Sequence, residues 1–124
     1  MTKLLYKEES YKIIGICMEV YNELGKGFSE IVYSDALEIE FQDNNIEYSR
    51  EKRFKIEYKG NILSHHYKAD FLINNAIILE VKAVENLVSA HIKKTLNYLA
   101  ASKLQLGLLV NFVGDSLNYK RIVL

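Results

Sequence analysis

Two acids and a lysine stand inside otherwise apolar segments of this chain. Asp70 directly precedes an apolar run, and Glu80 and Lys82 interrupt the apolar segment 77–84. Residues two apart on a strand point to the same face, so Glu80 and Lys82 would share one side of a sheet. A charge in the middle of a sheet is costly unless it is paired or bound to a cation. The pattern therefore predicts either a cation site or a buried ion pair.

The turn between the two segments decides whether the two carboxylates meet. If 74–76 is a three-residue loop, Ile73 pairs with Ile77 and Asp70 lies opposite Glu80, with Cβ atoms roughly 5 Å apart. Two carboxylates so placed repel each other, and a divalent cation between them removes the conflict. Oxygen ligands of this kind suit Mg²⁺ or Mn²⁺. A two-residue turn would shift the register by one residue and separate the two acids.

These residue types are sufficient for phosphodiester hydrolysis. Asp70 and Glu80 would hold the metal, which acidifies water and polarises the scissile phosphate. Lys82 would hold the attacking water or stabilise negative charge in the transition state. An ion pair of Lys82 with either acid, holding the sheet in register, fits the pattern equally well. A second acid-x-Lys, Glu57 with Lys59, lies on an alternating strand and is interpreted as a solvated surface pair.

Periodicity predicts the elements that position these residues. Three- and four-residue spacing of apolar residues predicts helices over 10–24, 29–44 and 88–102, with Ser29 as the cap of the second. Alternating or continuous apolar runs predict strands over 54–59, 62–73, 77–84, 106–112 and 119–124. The strand 77–84 is apolar on both faces and is expected at the centre of the sheet. The order α-α-β-β-β-α-β-β predicts an α/β fold, with a mixed sheet flanked by helices.

Composition bounds the class of protein. The chain has 124 residues, no proline and no visible linker, and is expected to form one domain over 1–124. Its 16 basic and 16 acidic residues argue against a protein that coats nucleic acid by bulk charge, but they do not exclude a nuclease. Cys17 is the only cysteine, so no internal disulfide forms. The segment 1–9 lacks a leader pattern, and no apolar run is long enough to span a bilayer. A cytoplasmic protein is therefore expected.

Several ordered motifs resemble a known family. Asp70, followed by nine residues and Glu80-Val81-Lys82, resembles the PD-(D/E)xK signature, with Ala69 in place of the proline. The segment Gly27–Tyr33 resembles the Gly-x-x-Glu-x-x-Tyr motif that names the GxxExxY proteins. Further matching blocks are Tyr67–Leu72, Leu79–Ala83, His91, Leu96–Leu99 and Gly107–Phe112. The resemblance extends from about Leu5 to Val123.

This resemblance implies a restriction-endonuclease-like fold and a Mg²⁺- or Mn²⁺-dependent nuclease activity on nucleic acid, with DNA as the expected partner. Glu30 corresponds to a helix glutamate that reaches the metal site in related nucleases; a role as partner of the helix dipole is equally open. His91 is expected to contact phosphate or substrate. Lys94 stands where related sequences usually have glutamine, and it either contacts phosphate or marks an altered or lost activity. The rival interpretation is a catalytically silent module that binds nucleic acid or protein through the same sheet.

Other charged groups are weaker candidates. The densest basic cluster lies at Arg50, Lys52, Arg53 and Lys55, and a solvated strand end is favoured over contact with a nucleic-acid backbone. His65 and His66 are interpreted as a solvated pair, because neighbouring strand residues face opposite sides.

Overall fold

The computed structural model describes residues 6–124. The expectations that concern residues 1–5, including the start of the family resemblance at Leu5, lie outside the described residues. Within residues 6–124, three helices and five strands follow one another: α1 (Lys7–Leu24), α2 (Glu30–Asp43), β1 (Tyr48–Tyr58), β2 (Asn61–Ile73), β3 (Ile77–Lys82), α3 (Ser89–Ser102), β4 (Leu106–Asn111) and β5 (Asn118–Val123). The predicted α/β class and element order are confirmed.

The five strands form one mixed sheet in the order β1-β2-β3-β4-β5. Only the β3–β4 pair is parallel among the described strands, and α3 makes the crossover between them. The other neighbours are antiparallel. β3 lies at the centre of the sheet and β5 at one edge, as the sequence predicts, because a strand without a solvated face must be covered on both sides.

Helices cover both faces of the sheet. On one face, α1 and α2 bury Cys17, Tyr33 and Leu37 against strand residues such as Leu79 and Val110. On the other, a smaller core holds residues of α3 and the opposite face of the strands: Ala69, Ile78, Tyr98, Leu99, Leu109 and Ile122. Alternate residues of β3 thus enter different cores, which is the expected consequence of the two-residue period.

Several predicted boundaries differ from the structure, and α1 begins at Lys7 rather than at Ser10. β1 begins at Tyr48 rather than at Phe54, because its first residues are mostly polar and pair with the end of β2 at the edge of the sheet. β3 ends at Lys82 rather than at Val84. Ser29 is the N-cap residue of α2, with extended backbone, but its side chain makes no capping hydrogen bond. The backbone carbonyl of Ser29 instead accepts from the N–H of Val32 at 3.1 Å.

The loop between β2 and β3 has the predicted length. Ile73 pairs with Ile77, and the ladder continues to the pair Phe71–Leu79. Asn74 and Asn75 both have φ near +52°, a conformation that asparagine tolerates better than most residues. The register on which the meeting of the two carboxylates depends is therefore confirmed.

The β1–β2 ladder is irregular at the level of the two carboxylates. Its pairs pass from Arg50–Phe71 to Lys52–Ala69, and the intervening Glu51 has φ +54°. Phe71 packs in the core beneath α1 and α2, whereas Ala69 packs in the core beneath α3. In a regular strand these two residues would share a face. The irregularity therefore turns the outer part of the hairpin over, and Asp70 lies at the point of change.

Gly107 of β4 is expected to tolerate no side chain. A Cβ at this position would lie 2.6 Å from Cγ2 of Thr95, which is buried in the α3–sheet contact. Gly107→Ala should lower the free energy of unfolding by about 1–3 kcal/mol through overpacking, measured by urea unfolding. Thr95→Ser removes the methyl group and keeps the hydroxyl that donates to the carbonyl of His91. Combining it with Gly107→Ala should recover most of the loss; no recovery would show that the clash lies elsewhere.

Candidate metal centre

Asp70 and Glu80 meet where β2 separates from β3. The backbone N–H of Asp70 donates to Oε1 of Glu80 at 3.3 Å, and Oδ2 of Asp70 accepts from the N–H of Val81 at 2.7 Å. The ladder ends one residue earlier, at Phe71–Leu79, so the two acids are adjacent without forming a regular cross-strand pair. The counted register therefore brings the two acids together as predicted, although the last ladder pair is Phe71–Leu79 and the contacts of Asp70 and Glu80 are made by their carboxylate oxygens.

Carboxylates replace β2 as hydrogen-bond acceptors for the end of β3. Beyond Leu79 the strand has lost its β2 partner, and a buried N–H without an acceptor is costly. Asp70 accepts from Val81, and Oε2 of Glu30 accepts from the N–H of Ala83 at 3.0 Å. Asp70 of β2 and Glu30 of α2 are thereby held at the N–H groups of Val81 and Ala83, at the end of the central strand.

Glu80 is the most deeply buried acid among the described residues, with 3% of its surface exposed. Burial, and then repulsion from Asp70, raises the pKa of Glu80 to about 9. The nearby Lys82 lowers the pKa but does not offset these two effects. The metal-free site therefore keeps a proton on Glu80 at neutral pH. A divalent cation would favour the ionised form of the same carboxyl.

Lys82 lies on β3 two residues after Glu80 and is half-buried. None of the salt bridges in residues 6–124 includes Lys82. The alternative that Lys82 fixes the sheet by an ion pair with Asp70 or Glu80 is therefore not realised in this structure. An ammonium group without such a partner remains available to an anionic ligand.

Glu30 starts α2 and turns inward rather than toward solvent. Its carboxylate reaches the end of β3 through Ala83, and it lines one cleft together with Asp70. Even so, no group of three or more His, Cys, Asp or Glu side chains stands ready to hold a metal ion in the described part of the chain. Asp70 and Glu80 contact each other's segments directly, whereas Glu30 is held to one side by its own hydrogen bond.

The cleft over Asp70 is open and small, about 200 Å³. Pockets that enclose small organic ligands are typically about 300–1,000 Å³. Its lining residues come from α2 and from the irregular part of the hairpin: Glu30, Ile31, Ser34, Arg50, Glu51 and Asp70. Arg50 is held there by Asp35 and Glu38 of α2, at 2.7 and 3.1 Å. This shape suits a ligand that lies across the site rather than one enclosed by it.

His91 and Lys94 both lie on α3, which covers the face of β3 that carries Ile78, Glu80 and Lys82. Nδ1 of His91 accepts from the backbone N–H of Val88 at 3.0 Å, so the imidazole helps to cap the helix. Lys94 is exposed, and its Nζ lies 5.9 Å from the ring centre of Tyr98. The structure thus gives His91 a capping contact and places Lys94 one turn before an aromatic residue that borders the acids.

Tyr98 and Asn111 are two residues that sequence reasoning did not place at the site. Burial, and then the charges of Glu80 and Asp70, raises the pKa of the Tyr98 phenol, so its ring borders the acid pair. Asn111 pairs with Lys82 across β3 and β4, and its amide donates to the carbonyl of Val84 at 2.7 Å. It also accepts from the N–H of Val84 and fixes the chain that leaves β3. A polar residue ending an apolar strand was the available signal for Asn111.

The remaining chemical groups do not join this centre. Cys17 is fully buried in α1, and burial raises the pKa of its thiol to about 12, which keeps it protonated and unreactive. His65 and His66 are exposed on opposite faces of β2: His65 contacts the ring of Tyr67, and His66 contacts Arg53. The exposure of the two histidines on opposite faces agrees with the prediction made for them.

Comparison with known proteins identifies the class to which this fold and site belong. Residues 7–122 match the PD-(D/E)XK nuclease superfamily, and the chain therefore belongs to that superfamily. Four solved chains are similar to it, one of which is described as the crystal structure of SSO0001. That structure superposes with a TM-score of 0.61 at 19% sequence identity. The match covers 95% of the present chain but only 59% of the chain in that crystal structure. No match was found among curated proteins.

These matches establish the superfamily and the fold. The five-stranded mixed sheet with its three helices is a restriction-endonuclease-like α/β fold. No helix in residues 6–124 is long and apolar enough to cross a membrane.

Proposed function

We propose that this chain is a nuclease that hydrolyses DNA phosphodiester bonds at a Mg²⁺ or Mn²⁺ site held by Asp70 and Glu80. The observation that carries the proposal is the contact of these two acids at the divergence of β2 and β3, beside a lysine without an ion pair. The motif at Gly27–Tyr33 further supports membership of the GxxExxY proteins. The proposal also includes a single domain over residues 1–124 and a cytoplasmic location.

The acids fit a hard divalent cation. The site offers carboxylate oxygens and no thiolate, which favours Mg²⁺ or Mn²⁺ over softer metals. Glu80 is buried next to a second carboxylate, and a cation removes the repulsion that otherwise keeps it protonated. Mg²⁺ commonly uses only one or two carboxylates and retains several waters, so two acids suffice. A bound cation would supply polarisation of a phosphoryl oxygen and acidification of a water molecule.

The chain's own residues would complete the chemistry. Lys82 would direct its ammonium group at the phosphate, where positive charge stabilises the charge that develops in the transition state. Glu30 would keep the end of β3 in place through Ala83 and add negative charge at the border of the site. His91 and Lys94 would contact the nucleic acid from α3, and the exposed ammonium of Lys94 suits a phosphate group.

The catalytically silent alternative is favoured by one specific observation. The described residues hold two preassembled acids rather than a cluster of three or more potential ligands. Lys94, in place of the glutamine usual in related sequences, points the same way. In that case the sheet and α3 would bind nucleic acid or protein without cleaving it.

A cleavage assay separates these two functions. Purified protein should cut DNA with Mg²⁺ or Mn²⁺, and chelation with EDTA should stop the reaction. Glu57→Gln is the matched control for Glu80→Gln, because it alters the exposed acid-x-Lys of β1 and should leave the rate unchanged. Cleavage lost in Glu80→Gln and retained in Glu57→Gln would support the nuclease. Absence of cleavage with both metals, in protein that binds DNA, would support the silent module.

A further inference from the structure

The outer part of the β1–β2 hairpin concentrates positive charge. Between Lys52 and Lys68 the sequence holds five Lys or Arg residues and one acid, Glu57, although the whole chain has 16 of each sign. The rest of the chain therefore carries a net negative charge. The net charge of zero therefore includes a basic segment in the outer part of the hairpin. The local charge of a surface, rather than the net charge of the protein, steers an anionic ligand to it.

These charges are sorted onto one face of the hairpin. Arg53 pairs directly with Lys68, and Lys55 pairs directly with His66, so all four side chains point to the same side, and all four are exposed. The two pairs lie about 7 Å apart along the strands. We call these four residues the basic face. The opposite side of the hairpin carries Phe54 and Tyr67, which pack against the α3 core.

Like charges directly across a ladder destabilise it unless an anion neutralises them. Lys68 has one weak counter-charge, Glu51, at 3.8 Å and with both side chains largely exposed. The Arg53 guanidinium lies 3.3 Å from Nε2 of His66 rather than beside an acid. Among the residues described, no acid forms a salt bridge with Arg53 or Lys55. The basic face is thus arranged for an external anion.

The basic face leads to the cleft that Glu30 and Asp70 line. Glu51, which contacts Lys68, also lines the cleft with Asp70 and Glu30. At Glu51 the two faces of the hairpin exchange sides. Beyond this residue, the basic face therefore lies on the side of the sheet where the cleft opens. From there to the turn at Lys59 the hairpin extends about 25 Å. A polymer held along the hairpin would pass over Asp70.

We propose that the basic face, Arg53, Lys55, His66 and Lys68, binds the phosphodiester backbone of a nucleic acid and guides it across the Asp70–Glu80 site. This inference rests on the proposed function for the identity of the polymer. It replaces the interpretation of the basic cluster as a solvated strand end. A polyanion is favoured over a small anion because the cations Arg53, Lys55 and Lys68 are spread over two successive pairs along the strands.

Salt dependence of DNA binding tests the proposal. Fluorescence anisotropy with a labelled 20-bp duplex is measured in EDTA, so that binding is read without cleavage. The affinity falls with salt by a slope of about 0.9 per neutralised phosphate. Arg53→Gln combined with Lys68→Gln should reduce that slope by about 2 and weaken binding roughly tenfold at 100 mM salt. For a single strand of the same length, the same two substitutions should also weaken binding, and the salt slope should fall by about 0.7 for each lost phosphate contact.

The control variant is Lys12→Gln combined with Lys120→Gln, which removes two exposed lysines from α1 and β5. It should retain the wild-type slope. Equal slopes for the hairpin variant and the wild type, or hairpin-dependent binding to anionic phosphatidylserine vesicles with none to DNA, would overturn the proposal. Hairpin-dependent binding without cleavage under Mg²⁺ or Mn²⁺ would support this inference while contradicting the proposed nuclease. Cleavage together with binding that the hairpin substitutions do not weaken would support the proposed nuclease while contradicting this inference.

Discussion

Lys82→Ala should lower the rate of DNA cleavage by about 10²–10³-fold while leaving metal binding unchanged. The ammonium group lies two residues from Glu80 on the central strand, is half-buried, and forms no salt bridge in the described part of the chain. It is not a metal ligand, so its removal should affect charge stabilisation and not the carboxylate pair. Single-turnover cleavage with Mg²⁺ measures the rate, and Mn²⁺ calorimetry measures binding on the same preparations.

A matched lysine makes the result specific. Lys120→Ala removes an exposed lysine from the edge strand β5 and should retain the wild-type rate. Identical purification of both variants also controls for contaminating nuclease. Equal cleavage by wild type and Lys82→Ala would remove Lys82 from the chemistry. A rate loss accompanied by an equal loss of Mn²⁺ affinity would show that Lys82 supports the site structurally.

Glu80→Gln should make the metal-free protein more stable, and increasingly so as the pH rises. The folded-state pKa of Glu80 is raised from its ordinary value of 4.5 to about 9. Between these values the folded protein retains a proton that the unfolded chain releases, so the stability that Glu80 contributes is fully present below about pH 4.5 and is lost as the pH rises toward 9. The loss is at most about 1.4 kcal/mol per pH unit, on the order of 3 kcal/mol by pH 7.

Urea unfolding in EDTA at pH 5, 7 and 9 measures this effect. Glutamine cannot ionise, so Glu80→Gln should lack this contribution, match the wild type near pH 5 and exceed it at pH 9. Glu57→Gln, an exposed acid on β1, should follow the wild-type profile. Parallel pH profiles for wild type and Glu80→Gln would show that Glu80 is already ionised in the folded protein. That result would contradict the repulsion on which the cation site depends.

The register of the site was predictable because local sequence signals agree. Two apolar residues, Ile73 and Ile77, flank an Asn-Asn-Ala loop, and asparagine accommodates the left-handed backbone that the loop requires. Counting from that pair brings Asp70 to Glu80. The start of β1 was not predictable in this way, since Tyr48 to Arg53 is mostly polar and gains its strand conformation from pairing with β2 at the edge.

Long-range features left no such signal. Glu51 adopts a left-handed conformation without being Gly or Asn, so the reversal of the hairpin faces has no local signature. Glu30 contacts Ala83 across 53 positions in sequence, and only the family resemblance pointed to it. The role of Tyr98 beside the acids depends on how α3 lies on the sheet. The basic face likewise depends on which residues pair across β1 and β2.

The most direct test of the account is calorimetric titration with Mn²⁺ of wild type and Asp70→Ala at pH 8. Asp70 is the better variant for this purpose because Glu80→Gln also alters stability through its pH dependence. The account predicts one site in the wild type, weakened at least tenfold in Asp70→Ala, with urea unfolding confirming that the variant is folded. Equal Mn²⁺ affinity in the two proteins, or no binding to the wild type, would contradict the claim that Asp70 and Glu80 form a metal centre.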